Sequence, residues 1–244
     1  MKIIDSVIEM IFPSSCAICG NDASKEYLYA LCDDCGRMYE AEKQSACRSC
    51  RRSAFSCKCA PSVALDGDNI TYIHLIPYFS ALSKKLMAAL KHRNVASVRR
   101  FLASELEDRL KKEIGFEKFD ITFVPRSVEG VKKYGFDQAN GLAMLISKDL
   151  GARYLKLCRH KRGTAEQKRL GFDERVSNSE MSYEIIGGAA LKSDTLVIVD
   201  DIVTTGSTMY QMCRAAKNIG AKRIIVLTCA KTQGRYEKEI YAMC

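Results

Sequence analysis

The sequence lacks any apolar run that approaches the roughly 20 residues a helix needs to cross a bilayer, so we expect no membrane-spanning segment. It also lacks low-complexity segments and, apart from pairs of cysteines, internal repeats. Nothing in it therefore points to a repeat architecture or a flexible linker. What the chain has is an ordinary apolar content of 47% over 244 residues. This is enough to bury a core and leaves room for one large domain and a small module.

The first segment of the chain, residues 1–12, could be mistaken for a signal peptide, but Asp5 and Glu9 interrupt it. Its apolar residues share one helical face and are Ile3, Ile4, Val7, Ile8 and Ile11. The pattern predicts a short amphipathic helix that ends before Pro13. We expect this helix to dock on the rest of the protein, with contact to a membrane surface as the alternative. We expect the protein to be cytoplasmic.

Eight of the twelve cysteines form four close pairs near the amino terminus. The pairs are Cys16 and Cys19, Cys32 and Cys35, Cys47 and Cys50, and Cys57 and Cys59. Two such thiolate pairs can surround one zinc ion, so eight ligands suffice for two ions. The simplest grouping is sequential, with the first four cysteines on one ion and the last four on the other; a cross-braced grouping and disulfides are the alternatives. Because apolar residues are scarce between Pro13 and Pro61, we expect the zinc to be structural.

Positive charge is distributed unevenly along the chain. Residues 1–60 carry eight basic and eight acidic side chains, so the net charge of +9 belongs to the remainder. An acid-free basic cluster nevertheless surrounds the last four cysteines and comprises Lys43, Arg48, Arg51, Arg52 and Lys58. A second cluster, in helical sequence, comprises Lys84, Lys85, Lys91, Arg93, Arg99 and Arg100. Basic surfaces attract polyphosphates and nucleic acid, although a solvated face is the alternative.

Beyond residue 70, patterns typical of strands and helices alternate, which predicts a parallel sheet flanked by helices in an α/β domain. Strands are predicted at 72–78, 120–124, 153–158, 196–199 and 223–229, and helices at 80–91, 95–112, 137–150 and 209–217. A loop is predicted at 125–135. The composition changes at Pro61, and residues 66–69 are polar, so we place a domain boundary there. Residues 1–60 would form the zinc module and residues 70–244 the α/β domain.

The most informative segment extends from Leu196 to Thr208. Four apolar residues predict a buried strand, and two carboxylates, Asp200 and Asp201, stand at its carboxyl end. Ligands of open α/β sheets bind there, beside the amino end of the next helix. The following loop can present N–H groups and hydroxyls to a phosphate, whereas the carboxylates would repel a phosphate and suit a polyol. A sugar phosphate site is therefore predicted, with the binding residues Asp200, Asp201, Ile202, Val203, Thr204, Thr205, Gly206, Ser207 and Thr208.

This segment resembles the phosphoribosyl pyrophosphate motif of type I phosphoribosyltransferases, in which two acids meet the ribose hydroxyls and the loop holds the 5′-phosphate. With the cysteine module and the order of elements, it makes nearly the whole chain similar to the ComF family of competence-associated phosphoribosyltransferase-like proteins. Further matches are Gly135-Phe136-Asp137-Gln138-Ala139 and the residues Gln167, Leu170, Arg175 and Asn178. The chain departs from the family pattern in three places. His92 replaces a Tyr after Lys91, the loop at 124–127 lacks a second Pro, and Tyr134 replaces an Arg.

The resemblance implies a reaction at C1 of ribose, where the bond to pyrophosphate breaks. Mg²⁺ held by the diphosphate and the sugar hydroxyls would neutralise the leaving group. The candidate catalytic residues are Asp200 and Asp201, with Lys91 and Arg126 stabilising charge. The polar segment at 162–178 is predicted to be a flap that excludes water, with an ordinary surface loop as the alternative. No residue identifies the acceptor.

Two classes of function stay open. The first is an enzyme that transfers the phosphoribosyl group to an unknown acceptor. The second is a non-catalytic accessory protein of DNA uptake and natural transformation, with the pocket as a sensor and the basic module in contact with single-stranded DNA. Its implied partners are phosphoribosyl pyrophosphate, single-stranded DNA and DNA-uptake proteins. Stacking on bases needs exposed aromatic side chains, and the module supplies few: Tyr27, Tyr29, Tyr39 and Phe55.

Overall fold

The computed structural model describes residues 14–65, 67–160 and 183–232. The predicted amino-terminal helix and the predicted flap at 162–178, including Gln167, Leu170, Arg175 and Asn178, lie outside the described residues. Within the described ranges, every helix is too short or too polar to cross a membrane.

The centre of the protein is a five-stranded sheet in which every neighbouring pair of strands is parallel. Its strands, in the spatial order β1-β7-β6-β2-β3, are β1 (Ile70–Pro77), β2 (Phe119–Phe123), β3 (Arg153–Tyr154), β6 (Thr195–Val203) and β7 (Arg223–Lys231). A separate antiparallel pair consists of β4 (Cys158–His160) and β5 (Tyr183–Ile185). The central strands are almost continuously apolar because helices cover both faces of the sheet.

The described helices of four residues or more connect and cover the strands. They are α1 (Asp33–Gln44), α2 (Ala81–His92), α3 (Ala96–Ile114), α4 (Val128–Tyr134), α5 (Gln138–Leu150) and α6 (Ser207–Asn218). Val197 and Val199 of β6 belong to the core on the side of α2, α3 and α5, whereas Leu196 and Ile198 face α6 on the other side. This alternation follows from the two-residue period of a strand. The predicted fold class is confirmed: an α/β domain with a parallel sheet flanked by helices, and an amino-terminal cysteine-rich module.

The cysteine-rich module packs directly on α3. Tyr39, which is fully buried, lies edge-on to Phe101 with ring centroids 5.0 Å apart, and its hydroxyl donates to Glu105 over 3.2 Å. Lys43 also donates to Glu105, over 2.6 Å, and is buried. Its place in the predicted exposed basic cluster is therefore wrong, because its ammonium is paired with a carboxylate 62 residues away. The module and the sheet share one hydrophobic core.

The predicted loop at 125–135 contains a helix, α4. Its ends carry local signals: the Ser127 hydroxyl accepts a hydrogen bond from the backbone N–H of Gly130, and Gly135 ends the helix at φ +78°. A non-glycine residue would be strained in that left-handed conformation. The capping residues thus specify a short helix that hydrophobic periodicity alone did not indicate.

The predicted strand at 153–158 is interrupted. Only Arg153 and Tyr154 pair with β2, and the chain then crosses to β4, which pairs with β5. Leu155 and Leu157 are buried in this crossing. Their apolar side chains are typical of a continuous strand, but here they cover the edge of the core between two sheets.

Candidate functional site

The loop after β6 has the geometry of an anion-binding turn. β6 ends at Val203, and α6 begins at Ser207 after Gly206, which adopts φ +95°. The Thr205 and Ser207 hydroxyl oxygens lie 3.1 Å apart. The first backbone N–H groups of α6 have no partner inside the helix and, with the positive end of the helix dipole, favour an anion.

The linker that follows the cysteine module braces this loop. The Val63 N–H donates to the Thr205 carbonyl over 2.7 Å. A Cβ atom at residue 206 would lie 2.2 Å from the Val63 carbonyl oxygen and 2.5 Å from Pro61 Cγ. Gly206 is therefore required both by its positive φ and by the close approach of the linker.

The two acids lie inside the last part of β6, which extends four residues beyond the predicted strand. Asp201 is only 3% exposed, whereas Asp200 is partly exposed. Burial and the adjacent charge of Asp201 hold the pKa of the Asp200 carboxyl well above its usual range, and the charge of Lys91 opposes this shift. A polyol hydroxyl or a cation at this position would relieve the repulsion between the two carboxylates.

A network of side chains converges on Asp201. The Lys91 ammonium at the end of α2 lies 3.2 Å from one carboxylate oxygen, and the Gln138 amide donates to the other. Arg126 donates to the Gln138 side-chain oxygen over 2.8 Å and to the Lys91 carbonyl over 3.4 Å. The structure thus brings together three of the four predicted catalytic residues, with Asp200 adjacent. Gln138, which links them, was quoted in a motif but given no role in the sequence analysis.

Asp137 is a second residue that sequence reasoning missed. Its carboxylate accepts hydrogen bonds from the backbone N–H groups of Arg126, over 2.8 Å, and Asn140, over 3.1 Å. Burial raises the pKa of Asp137, while these two N–H groups lower it. Asp137 therefore fixes the start of α5 and the loop that carries Arg126. Its position before an amphipathic helix was the available signal.

Two of the departures from the family pattern are in contact. The rings of His92 and Tyr134 lie 5.0 Å apart, and the Arg126 guanidinium lies 4.2 Å from the centre of the Tyr134 ring. Tyr134 therefore provides a face on which Arg126 stacks. His92 and Tyr134 therefore form one local arrangement, which holds the Arg126 guanidinium next to the side chains around Asp201.

A large cleft of about 860 Å³ opens beside this network, between α4 and the β4–β5 pair. Its apolar lining includes Phe123, Val131 and Ile186. Its charged lining is mainly basic and comprises Arg126, Lys132, Asp137, Lys156, Arg159 and Glu184. The cleft can therefore receive a molecule with an apolar face and negatively charged substituents.

The cysteine module contains two groups of four sulfur atoms. Within each group the Sγ atoms lie within 4.8 Å of one another, and the groups are Cys16, Cys19, Cys32, Cys35 and Cys47, Cys50, Cys57, Cys59. Four sulfurs at ~2.3 Å from a tetrahedral zinc ion would be separated by ~3.8 Å, so both groups could hold a metal ion. The grouping is the sequential one. The eleven described cysteines are free of disulfide bonds.

Local backbone structure prepares each group for a metal. Isolated β-bridges close two tight turns around the first pair of each group. We call the turn between Ser15 and Asp22 the first knuckle and the turn between Ala46 and Ser53 the second knuckle. Burial opposes ionisation of Cys16, but N–H groups of the turn and of Cys32 lower its pKa to about 6. Similar N–H groups lower the pKa of Cys47 to about 7, again against burial. One thiolate of each group is therefore available near neutral pH.

Comparison with known proteins identifies a family model that matches part of the chain. The family model of the phosphoribosyl transferase domain matches residues 131–244, which include the acid pair and the loop after β6. No curated protein matches the chain.

Solved structures with detectable similarity include three phosphoribosyltransferases. A purine phosphoribosyltransferase from Pyrococcus horikoshii has 20% identity over 55% of this chain and 72% of that chain, with a TM-score of 0.33. Adenine phosphoribosyltransferase from Saccharomyces cerevisiae has 15% identity over 57% and 71%, with a TM-score of 0.36. Another adenine phosphoribosyltransferase has 15% identity over 61% and 77%, with a TM-score of 0.38.

Proposed function

We propose that this protein is a ComF-type phosphoribosyltransferase that binds phosphoribosyl pyrophosphate with Mg²⁺ and transfers the phosphoribosyl group to an acceptor in the cytoplasm. The observation that carries this proposal is the convergence of Lys91, Arg126 and Gln138 on Asp201, directly before an anion-binding turn. A phosphate loop alone would fit many ligands. A phosphate loop beside an acid pair and two cations fits a sugar with phosphates at both ends.

The two halves of the site have separate tasks in this proposal. Backbone N–H groups and hydroxyls of Thr205 and Ser207 bind the 5′-phosphate. Asp200 and Asp201 accept hydrogen bonds from the ribose hydroxyls, which fixes C1 near the network. Lys91 and Arg126 stabilise the negative charge that develops on the departing diphosphate, in a place where partial burial strengthens their field.

The acid pair also fits a magnesium-bound substrate. Asp200 is partly exposed beside the carboxylate of Asp201, and burial together with that adjacent charge raises the pKa of Asp200, so a bound cation would favour the ionised form of the pair. A magnesium ion bound with the substrate would supply positive charge that neutralises the leaving group. The carboxylates of Asp200 and Asp201 would hold the magnesium-bound hydroxyls in place.

We assign the acceptor to the cleft between α4 and the β4–β5 pair. Arg126 lines this cleft and also belongs to the Asp201 network, so an acceptor there would lie beside the reacting carbon. The apolar patch formed by Val128 and Val131 suits a planar ring, and the basic side chains suit anionic substituents.

We further propose that two zinc ions stabilise residues 1–60 as a structural module for the domain at 70–244. The paired knuckles and the four-sulfur groups support zinc rather than a harder cation, because thiolates prefer soft or borderline metals. The module supplies Tyr39 and Lys43 to the contact with α3. Loss of metal should therefore affect the larger domain as well.

The enzyme proposal is tested by diphosphate release. The purified zinc-loaded protein is mixed with phosphoribosyl pyrophosphate, Mg²⁺ and a panel of purine, pyrimidine and pyridine bases, and diphosphate is measured for each base. We expect acceptor-dependent release that falls at least about 100-fold in Arg126→Met, a loss typical of one electrostatic donor. Tight substrate binding without release for any acceptor would contradict an enzyme and favour the second candidate.

The second candidate is a single-stranded-DNA-binding accessory protein in DNA uptake, with the sugar phosphate pocket as a sensor. Arg48, Arg51 and Arg52 are exposed on the second knuckle, which supports contact with phosphates. The aromatic residues give less support. Tyr39 is fully buried, and Phe55 is covered by cations, with the Lys43 ammonium 4.9 Å from its ring centre. The module thus provides charge for DNA but few platforms for base stacking.

A further inference from the structure

A second cavity, of about 220 Å³, lies at the junction between the module and the sheet. The second cysteine knuckle forms one wall through Arg48 and Ser49, and the carboxyl ends of β1 and β7 form another through His74 and Lys231. The linker closes a third side with Pro61 and Ser62. At ~30 Å³ per water molecule, the cavity has room for a phosphate group with several waters.

The described residues that line this cavity include no carboxylate, although Cys47, one of the proposed zinc ligands, is among them. The lining contains two cations, one histidine and five hydroxyl groups, and these residues are Arg48, Lys231, His74, Ser45, Ser49, Ser62, Thr204 and Thr232. A cavity with donors and cations and without acidic residues concentrates a positive potential. With the Cys47 thiolate assigned to the zinc ion, the remaining side chains of the lining favour an oxyanion.

Three of these groups have donor capacity to spare. His74 is 5% exposed and makes no hydrogen bond within the described part of the chain, although a buried imidazole ordinarily has a partner. Lys231 donates to the carbonyls of Cys59 and Ala60, both over 3.0 Å, which leaves the third ammonium proton available. Arg48 is exposed at the mouth and forms no ion pair with a described residue.

From this arrangement we propose a second anion site, which binds a phosphate monoester between Arg48, His74 and Lys231. It is distinct from the loop that holds the 5′-phosphate in the proposed function. Burial of the ring, and secondarily the charges of Lys231 and Arg109, lower the pKa of His74 to about 3, so a neutral His74 would donate one N–H. Arg48 and Lys231 would supply the charge-assisted hydrogen bonds.

The cavity and the sugar phosphate site are connected by the backbone that they share. Thr204 lines the cavity and is the first residue of the loop after β6. The linker that closes the cavity at Pro61 continues to Val63, whose N–H holds the Thr205 carbonyl. An anion in the cavity would therefore fix the linker and the loop in one arrangement, and the two sites should be coupled.

Binding of inorganic phosphate to the zinc-loaded full chain, measured by calorimetry, tests this site. We expect Arg48→Ser to weaken phosphate binding about tenfold or more, as for the loss of a hydrogen bond to a charged group. Arg52→Ser, on the same knuckle but outside the cavity lining, is the matched control and should leave binding unchanged. His74→Phe should weaken binding by a similar factor. Equal affinities in Arg48→Ser and Arg52→Ser would overturn the proposal.

Two further measurements separate this site from the loop and identify the source of the phosphate. Saturating phosphoribosyl pyrophosphate, which would occupy the loop after β6, should leave one equivalent of inorganic phosphate bound in the cavity. If saturating substrate removes all bound phosphate, the second site does not exist. An oligonucleotide with a 5′-phosphate is compared with its 5′-hydroxyl form in Arg48→Ser and Arg52→Ser. If the 5′-phosphate form binds more tightly than the 5′-hydroxyl form and Arg48→Ser removes the difference, the site binds the end of a strand. If both oligonucleotides bind equally while inorganic phosphate still binds, the site takes a free phosphate.

Discussion

Removal of the Lys91 ammonium tests whether the ion pair between Lys91 and Asp201 stabilises the folded protein. Lys91→Met keeps the length and much of the apolar surface of the side chain but deletes the charge that lies 3.2 Å from Asp201. Asp201 then stays buried, with its side chain 5% exposed, and retains the Gln138 amide and the Ile202 N–H as partners.

The size of the effect follows from burial. Loss of one partner of a fully buried ion pair costs about 3–5 kcal/mol, whereas an exposed pair is worth at most about 1 kcal/mol. Lys91 is 28% exposed and Asp201 is nearly inaccessible, so the pair lies closer to the buried limit. We therefore expect Lys91→Met to lower the free energy of unfolding by about 2–3 kcal/mol.

Urea denaturation of a double-mutant cycle provides the measurement. Asp201→Asn should cost less than Lys91→Met, because the partly exposed ammonium regains water. The double variant should recover part of the loss, which gives a coupling energy of about 1–2 kcal/mol. A coupling energy near zero, or a cost of Lys91→Met no larger than that of an exposed Lys substitution, would refute the reasoning.

Three further predictions concern other parts of the protein. Metal analysis should find two zinc ions per chain. Chelation or Cys16→Ser should lower the melting temperature of the whole chain, because the module shares a core with α3. A protein that is equally stable without metal would contradict this prediction. Burial, and secondarily the charge of Asp149, raises the pKa of Glu107 to about 7 from 4.5, so the folded state keeps a proton that the unfolded state has lost. Stability should then fall by about 3 kcal/mol at most as pH rises from 4.5 to 7, and Glu107→Gln should abolish that fall in denaturation curves. If single-stranded DNA binds the second knuckle, replacement of Arg48, Arg51 and Arg52 by Ser should reduce the slope of log affinity against log salt by about 2, and an unaltered slope would show a solvated face.

The central strands and their ligand edge could be predicted from sequence because their signals are local. Four apolar residues before Asp200 specify a buried strand, and the small residues that follow specify a turn with one positive φ angle at Gly206. The cysteine spacings likewise contain information for the two four-sulfur groups, since the first pair of each group lies in its own tight turn.

The features that sequence reasoning missed depend on distant partners. Lys43 belongs by sequence to a basic cluster, but Glu105, 62 residues away, buries it. Gln138 contacts Asp201 across 63 residues, and no periodicity reports such a contact. The cavity beside His74 exists only because the linker and the second knuckle fold back over the ends of β1 and β7. Spacing along the chain describes none of these three juxtapositions.

Calorimetric titration with phosphoribosyl pyrophosphate in the presence of Mg²⁺ tests the central claim most directly. The account predicts one site per chain whose affinity falls at least about tenfold in the double variant Asp200→Asn, Asp201→Asn, because each acid loses a charge-assisted hydrogen bond. Asp194→Asn is the matched control, since this exposed acid precedes β6 at the opposite end of the strand and pairs with Lys222. Unchanged affinity in the double variant, or equal losses in both variants, would contradict the assignment of the sugar phosphate site.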